Sequence, residues 1–400
     1  MRKVGGRDHF LCGRCARRGN AWVWVLAALS VLAVALGALL LRPRTPAGRP
    51  AEPEPAVPAH ARDPEPWMKE TLRLLEMKRY AEARSRIEEL LGPLPKQPEL
   101  NLLMGRCLMS MRYYDGAIPY LKTAVEAGGP TRDEAELRLG LSYKTIGHAR
   151  EALQYLEKPS ALDISVRGEL AEVYLDLERY QEALKLLPDS PDTLWGRHRA
   201  LVYMGKGAEA KKLLEGRDER EVGTLLAGQL REEGDFEGAR KVLSALAPEP
   251  GSPAWHRVQR GWISLAIESG NLELLDGPVA ALSADPDPQM QGEALFASAM
   301  AALLRREKDK AATLAWKFLA KTDKEFSPLR LERMMMRHLV GELKDADLEA
   351  EVKLLSAFHA NDLLWYLALA TGDRARAEAA LAATPGHNFP YHAIRRLLGP

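Results

Sequence analysis

The sequence predicts an all-α chain: a solenoid of stacked helix–turn–helix units preceded by one transmembrane helix. Three observations carry this. A ten-residue phrase keeps returning, as KRYAEARSRI at 78–87, RYYDGAIPYL at 112–121, GHAREALQYL at 147–156, ERYQEALKLL at 178–187 and GDFEGARKVL at 234–243. From Trp67 onward Ala, Leu, Glu, Lys and Arg dominate at helical spacing, broken by short Gly and Pro turns, and strand signals nearly vanish. Finally, the 21 residues from Ala21 to Leu41 carry no charge.

Residues 1–20 read as a basic cytoplasmic tail and 21–41 as a signal anchor. As a helix the uncharged run spans about 31 Å, one bilayer core. Arg2, Lys3, Arg7, Arg14, Arg17 and Arg18 precede it against Asp8 alone, and Trp22 and Trp24 stand at its entry, where indoles favour the interface. The larger basic cluster stays in the cytoplasm. That places the C-terminal domain on the periplasmic or extracytoplasmic side of a single-pass bacterial inner membrane protein. A cleaved signal peptide fits less well. Its apolar region is about 7–15 residues, whereas this run is longer, ends in LLLRPR and has its nearest A-x-A only at Ala59-His60-Ala61.

Residues 42–66 hold eight prolines and cannot bury a core, so they read as an extended spacer of up to roughly 75 Å. A proline-rich ligand is the alternative, without a clean P-x-x-P context to support it. Residues 1–66 carry ten basic and five acidic side chains, which leaves 46 basic and 50 acidic in 67–400. A mildly acidic body offers no footprint for a phosphate backbone, which argues against nucleic acid.

Within 67–246 the copies align on small residues. Ala83, Ala117, Ala152, Ala183, Ala210 and Ala239 hold one position, at intervals of 34, 35, 31, 27 and 29. Four residues later stands an aliphatic, from Ile87 and Leu121 through Leu243, expected to face the next repeat. Three earlier, Tyr80, Tyr114, Tyr180 and Phe236 recur, with Ala149 and Gly207 as exceptions. Five earlier lie turn-compatible residues, including Gly147, Gly205 and Gly234. Upstream, Gly105, Gly140 and Ala171 mark a first helix. Two antiparallel helices meet closely only where a small side chain lets the backbones approach. One such pair cannot hide its apolar face, so copies must stack.

This pattern resembles the tetratricopeptide repeat, a 34-residue helix–turn–helix unit. The resemblance is strongest at 100–188, where LRLGLSYKTIGHAREALQYL, ending at Leu156, carries L-G-x-x-Y, the turn glycine and E-A-L. The copies at 193–246 are shortened. Residues 253–400 read as degenerate hairpins, with Gly270/Leu272/Leu275/Val279, Glu307/Asp309/Ala312/Trp316 and Gly372/Arg374/Ala377/Leu381 keeping the spacing. APEPGSP (247–253) and ADPDPQ (284–289) interrupt the phase, which suggests a semi-separate lobe.

The resemblance implies a concave channel lined by the first helices. By alignment the lining includes Met68, Leu72, Leu102, Arg106, Met109 and Leu137, then Arg138, Leu141, Lys144 and Glu172. Some family members clamp chaperone C-termini with Lys and Asn here. Leu72, Leu103 and Arg106 stand where that clamp wants Asn, and only Arg138 fits, so that partner class is disfavoured. An apolar groove with a few cations suits an amphipathic or extended apolar segment, unless its leucines simply pack within the array.

No catalytic signature is present: no G-x-x-x-x-G-K-[ST], H-E-x-x-H, G-x-S-x-G or EF-hand loop. No cofactor is expected. Cys12 and Cys15 have C-x-x-C spacing, with His9 nearby, but no second pair completes a zinc site. No specific chemistry, a zinc or inter-chain cluster, a redox pair and lipid attachment all stay open there. Cys107 reads as a buried thiol and His387 and His392 as surface or turn residues. In RMMMRHL (333–339) three consecutive methionines cannot share one helix face, so one is expected to be exposed.

The function these features suggest is a membrane-anchored, non-enzymatic scaffold that binds protein segments through the repeat surface. A periplasmic chaperone or envelope-assembly factor with promiscuous clients is the main alternative. A structural homo-oligomer and an enzyme with an unrecognised site in 253–400 stand further off.

Overall fold

Helix ends in this chain follow its punctuation. In a computed structural model, residues 65–158, 164–384 and 390–399 are described, all within one compact unit, Pro58–Pro400. Twenty-one α-helices account for most of them, and no strand occurs among the described residues. They pair as hairpins. The first five are α1 (Glu65–Glu76) with α2 (Tyr80–Leu91), α3 (Pro98–Ser110) with α4 (Tyr114–Ala127), α5 (Arg132–Thr145) with α6 (Ala149–Leu156), α7 (Ile164–Asp176) with α8 (Tyr180–Leu186), and α9 (Leu194–Tyr203) with α10 (Gly207–Leu214). The next five are α11 (Glu219–Glu232) with α12 (Phe236–Ala245), α13 (Pro253–Ser269) with α14 (Asp276–Ser283), α15 (Pro288–Leu304) with α16 (Lys308–Lys321), α17 (Arg330–Leu339) with α18 (Asp345–Val352), and α19 (Ala357–Thr371) with α20 (Arg374–Ala383). Helix α21 (Tyr391–Leu398) ends the array.

The two proline-rich interruptions act as helix starts. Ser252 precedes Pro253 and accepts from Trp255 N at 3.1 Å; Asp287 precedes Pro288 and accepts from Gln289 N at 2.8 Å. A side-chain acceptor followed by a proline, which has no N–H to satisfy, is a strong N-terminal signal. These segments begin the seventh and eighth hairpins.

One backbone feature recurs in every hairpin. The turn between its two helices holds a residue in the left-handed region: Lys78, Arg112, Gly147, Glu178 and Gly205 at φ 58–83°, then Gly234, Gly270, Arg306, Gly341 and Gly372 at φ 63–84°. In most of them the next residue donates to the carbonyl five positions back, as in Tyr113 N to Leu108 O at 2.8 Å and Glu307 N to Ala302 O at 2.8 Å. This six-to-one bond is the Schellman closure, which satisfies a carbonyl the helix end leaves open. The turn positions lie five before the alanine series. The same turn at Arg306, Gly341 and Gly372 shows that the degenerate hairpins keep the repeat's geometry after losing its sequence.

Four of these turns carry side chains where glycine would be unstrained. A non-glycine residue pays roughly 1–2 kcal/mol in this conformation. Lys78 is exposed and makes no ion pair among the described residues, so Lys78→Gly should raise stability by about 0.5–1 kcal/mol after glycine's own entropy cost. A calorimetric melt checks it, and a lowered Tm would contradict the strain assignment.

Packing follows the small residues, with two corrections to the sequence reading. The six aligned alanines are 0–1% exposed, so the register of the repeats is right. The aliphatic four residues on does not simply face the next repeat. A Cβ built on Gly105 would fall inside the Leu121 side chain, and one on Gly140 would lie 2.8 Å from Leu156 Cγ, each within the same hairpin. In α16 the expected Ala312/Trp316 register is one residue out. Ala311, Ala315 and Phe318 are fully buried, whereas Trp316 is 54% exposed.

The last hairpins return to the first. Ser327 N donates to Arg112 O at 3.1 Å, and the Ser327 hydroxyl accepts from Asp115 N at 3.1 Å. One repeat further on, Ser356 N donates to Gly147 O at 3.0 Å. There a Cβ on Gly147 would lie 2.9 Å from Leu355 Cδ2, so glycine is required by both φ and space. Next, His359 Nδ1 lies 4.0 Å from the Asp176 carboxylate; finally His392 meets Glu232 O at 3.2 Å and packs edge-on against Phe236. Each contact falls at or near a left-handed turn. The C-terminal third therefore docks along the turn edge of the earlier hairpins.

No helix among the described residues is long and apolar enough to cross a membrane. The tail 1–20, the anchor expected at 21–41 and all but the end of the linker 42–66 lie outside those residues, as do Cys12, Cys15 and His387.

Candidate binding groove

The first helix of each early hairpin carries its small residue twelve positions before the aligned alanine. Counting the same way places Thr71 in α1, fully buried, and His198 in α9, 4% exposed. Three positions before this mark stand Met68, Leu102, Leu137 and Trp195; one after it stand Leu72, Arg106, Leu141, Glu172 and Arg199; four after it stand Met109 and Lys144. Residues three or four apart share a helix face, so these rows run side by side across α1, α3, α5, α7 and α9.

The rows are not equally open. Leu102 is 5% exposed and belongs to the core. Met68, Leu72, Met109, Leu137 and Leu141 are half-buried and pack against that same core. Each keeps part of its side chain available. Trp195 is 49% exposed, and the Arg199 guanidinium lies 5.3 Å from its ring. The L-G-x-x-Y signature is absent at α9, which hides this tryptophan from a motif; counting back from Ala210 recovers it.

The cations of the groove are already engaged, Arg138 within α5 and the others between neighbouring helices. Glu134 of α5 receives Arg106 of α3 at 3.9 Å and Arg138 at 2.7 Å. Lys144 of α5 meets both Glu169 and Glu172 of α7, and Arg199 of α9 meets Asp176 at the end of α7 at 2.9 Å. Burial alone would lower the Lys144 pKa; the charges and hydrogen bonds of Glu172 and Glu169 reverse this and raise it. Burial acts on Arg199 in the same way and Asp176 reverses it. These pairs tie repeat to repeat and leave the surface a strip of methyls and one indole with its charges largely neutralised. It can receive an apolar segment; it has no surplus charge for a strongly acidic one.

Behind the far end of α5, a cavity of about 490 Å³ lies between Ile146 and the returning hairpins. Ile263, Phe296 and Leu331 form its apolar wall. Arg260 is held by Glu293 at 2.7 Å. Burial pushes Glu332 up to about 7, and burial with the neighbouring Glu332 pushes Asp362 up to about 8. No three His, Cys, Asp or Glu side chains are grouped for a metal ion among the described residues.

The remaining residues singled out from sequence have structural placements. Cys107 is fully buried, with Sγ 3.4 Å from Tyr80 O, and burial pushes its thiol up to about 11. Met335 and Met336 are core, at 2% and 0% exposed, and Met334 is half-buried, so none of the three is fully exposed. His392 is held in the contact with α11 and α12 described above.

No family model matches the sequence, and no curated protein matches it. Among solved structures, the C-terminal part of a TPR repeat-containing protein of Cytophaga hutchinsonii is 15% identical, covering 66% of this chain and 99% of that one, with a TM-score of 0.34. The TPR domain of P58(IPK) is 14% identical over 84% of this chain and 96% of its own, with a TM-score of 0.24. Naa15/Naa10 bound to HypK-THB is 13% identical over 79% of this chain and 62% of that one, at 0.28. The first two of these are described as TPR proteins. At such scores the repeat assignment here rests on the hairpin register and turns of this chain itself.

Proposed function

We propose that the protein is a non-enzymatic interaction scaffold, anchored by residues 21–41, whose helical repeats bind a partner segment on the non-cytoplasmic side. The observation that supports this reading is the row of half-buried apolar side chains, Leu72, Met109, Leu137 and Leu141, continued by the exposed Trp195. Methyl groups and an indole held on rigid neighbouring helices are what an extended or amphipathic segment docks against. The paired charges beside them favour a segment of low net charge.

A photoreactive residue at position 141 should crosslink one stoichiometric partner in cells, and the Leu137→Asp/Leu141→Asp variant should lose at least roughly 10-fold in capture while keeping its helical circular dichroism. Equal capture from a photoreactive residue at Lys308, on the exposed face of α16, would remove the groove from the proposal. The membrane placement rests on the charge asymmetry around 21–41. An alkaline phosphatase fused after residue 400 should be active; an inactive fusion beside an active cytoplasmic reporter reverses the orientation.

A further inference from the structure

The returning hairpins enclose a site of different character from the groove. The cavity of about 490 Å³ lies where α13, α15, α17 and α19 converge on the end of α5. That volume falls in the range that holds a small organic molecule. Ile146, Ile263, Phe296 and Leu331 make it apolar, and Trp365 adds a second aromatic ring.

Its charges do not balance. Arg260 and Arg330 line it against Glu293, Glu332 and Asp362. Arg260 is engaged by Glu293, whose two oxygens receive its Nε and Nη2 at 2.7 Å each. Arg330 is engaged by Asp115 at 2.9 Å and Glu351 at 2.7 Å, neither of which lines the cavity. Burial outweighs Asp176 at His359 and lowers its pKa, so this ring adds no cation near neutral pH. Glu332 and Asp362 remain. Neither makes an ion pair within 4.0 Å among the described residues. Arg260 does act on Glu332 from further off, but the like charge of Glu293 acts more strongly there. The charge acting on Asp362 is that of Glu332, which has the same sign. A carboxylate held away from water without a partner is unfavourable, so each of these either keeps a proton or takes a cation.

We infer that this cavity binds a small organic amine, a protonated ammonium carried on an aromatic or branched apolar body. The ammonium supplies the charge that Asp362 and Glu332 lack, and the apolar wall takes the body. Phe296 and Trp365 favour the same ligand, since an aromatic face attracts a cation. A bare metal ion fits less well. Hard divalent ions take about six oxygen ligands, and no three His, Cys, Asp or Glu side chains are grouped for one among the described residues. An anion would meet two carboxylates and two arginines already engaged. Because α5 and the returning hairpins share the cavity, a bound amine holds the C-terminal third closed.

Calorimetric titration of the full chain, purified in mild detergent, with 2-phenylethylamine tests this. Saturable binding is expected at about pH 8.5, with the neutral isostere 2-phenylethanol about 10-fold weaker or more. The melting temperature should rise with the amine and not with the alcohol. Burial and the like charges push Glu332 up to about 7 and Asp362 up to about 8. The amine, charged throughout, must displace those protons, so its affinity should fall about 10-fold between about pH 8.5 and pH 6. Asp362→Asn and Glu332→Gln should each weaken binding about 10-fold and flatten that pH dependence. Both remove an unpaired charge, so neither should unfold the chain. The Leu137→Asp/Leu141→Asp groove variant should bind the amine as the unaltered chain does. No saturable binding, equal affinity for the alcohol, an affinity independent of pH, or unchanged affinity in Asp362→Asn overturns the inference. Loss of amine binding in the groove variant overturns it as well, by moving the site to the groove.

Discussion

Arg330→Ala is expected to cost about 3–5 kcal/mol of stability, because it strips a buried carboxylate of its main counter-ion. Arg330 joins Asp115 of α4 at 2.9 Å to Glu351 of α18 at 2.7 Å, and Glu351 also meets His148 Nε2 at 2.9 Å. The Glu351 side chain is 8% exposed. This network clamps the ninth hairpin onto the turns of the second and third. Urea denaturation checks the loss, and Arg330→Ala/Glu351→Gln should recover part of it, since a buried amide needs no counter-ion. A cost under about 1 kcal/mol would mean the returning hairpins are held by their apolar contacts alone.

The same network predicts acid lability. Burial pushes the Glu351 carboxyl up, but the hydrogen bonds and charges of His148 and Arg330 outweigh it and hold it at about 2. A depressed carboxylate contributes stability in full above its unfolded value, near 4.3, and loses it as pH falls through the folded value. Unfolding should therefore set in between about pH 4 and 2, and Glu351→Gln should flatten the pH dependence in that window. An unchanged profile would remove Glu351 from the clamp.

Gly140→Leu should destabilise by about 3 kcal/mol through overpacking in the third hairpin. A Cβ at Gly140 would lie 2.8 Å from Leu156 Cγ and 3.0 Å from Tyr155 Cβ. The leucine can turn away, but the tyrosine Cβ is fixed to the backbone of α6. Pairing the substitution with Leu156→Ala should restore part of the loss. Gly168 of α7 is the internal control. Nothing lies within 4 Å of a Cβ there, so Gly168→Ala should stabilise by up to about 1 kcal/mol. Should Gly140→Leu and Gly168→Leu melt alike, close helix approach is not what these small residues provide.

The early hairpins were legible because their packing is local. Ala83, Ala117 and Ala152 meet partners within a few dozen residues, so the sequence interval mirrors the spatial one, and all three are buried as expected. Leu121 meets Gly105 within its own hairpin although its spacing points to the next repeat, because a helical face shows where a side chain points, not which neighbour arrives there first. In α16, Ala311 and Ala312 fit the pattern equally well. The environment chose Ala311 and left Trp316 in solvent. The groove was legible as a set of rows, yet its openness was not. Leu102 and Leu137 hold equivalent positions, and only the first is buried by its surroundings.

What sequence alone determined is the repeating unit: helix pairs nested through small side chains, closed by a turn at one register, and stacked because no pair can cover its own apolar face. The positions of Lys78, Arg112 and Glu178 were implicit in that register, though nothing about their side chains announced the backbone angle. Only tertiary structure decided that the C-terminal third folds back onto the turn edge. Its contacts join residues such as Asp115, His148, Arg330 and Glu351, which are up to more than 200 positions apart and are of types that normally face water. Charge pairing has no sequence period. It is set by where two already folded surfaces meet, so the clamp and the acid-lined cavity beside it exist only once the chain has closed.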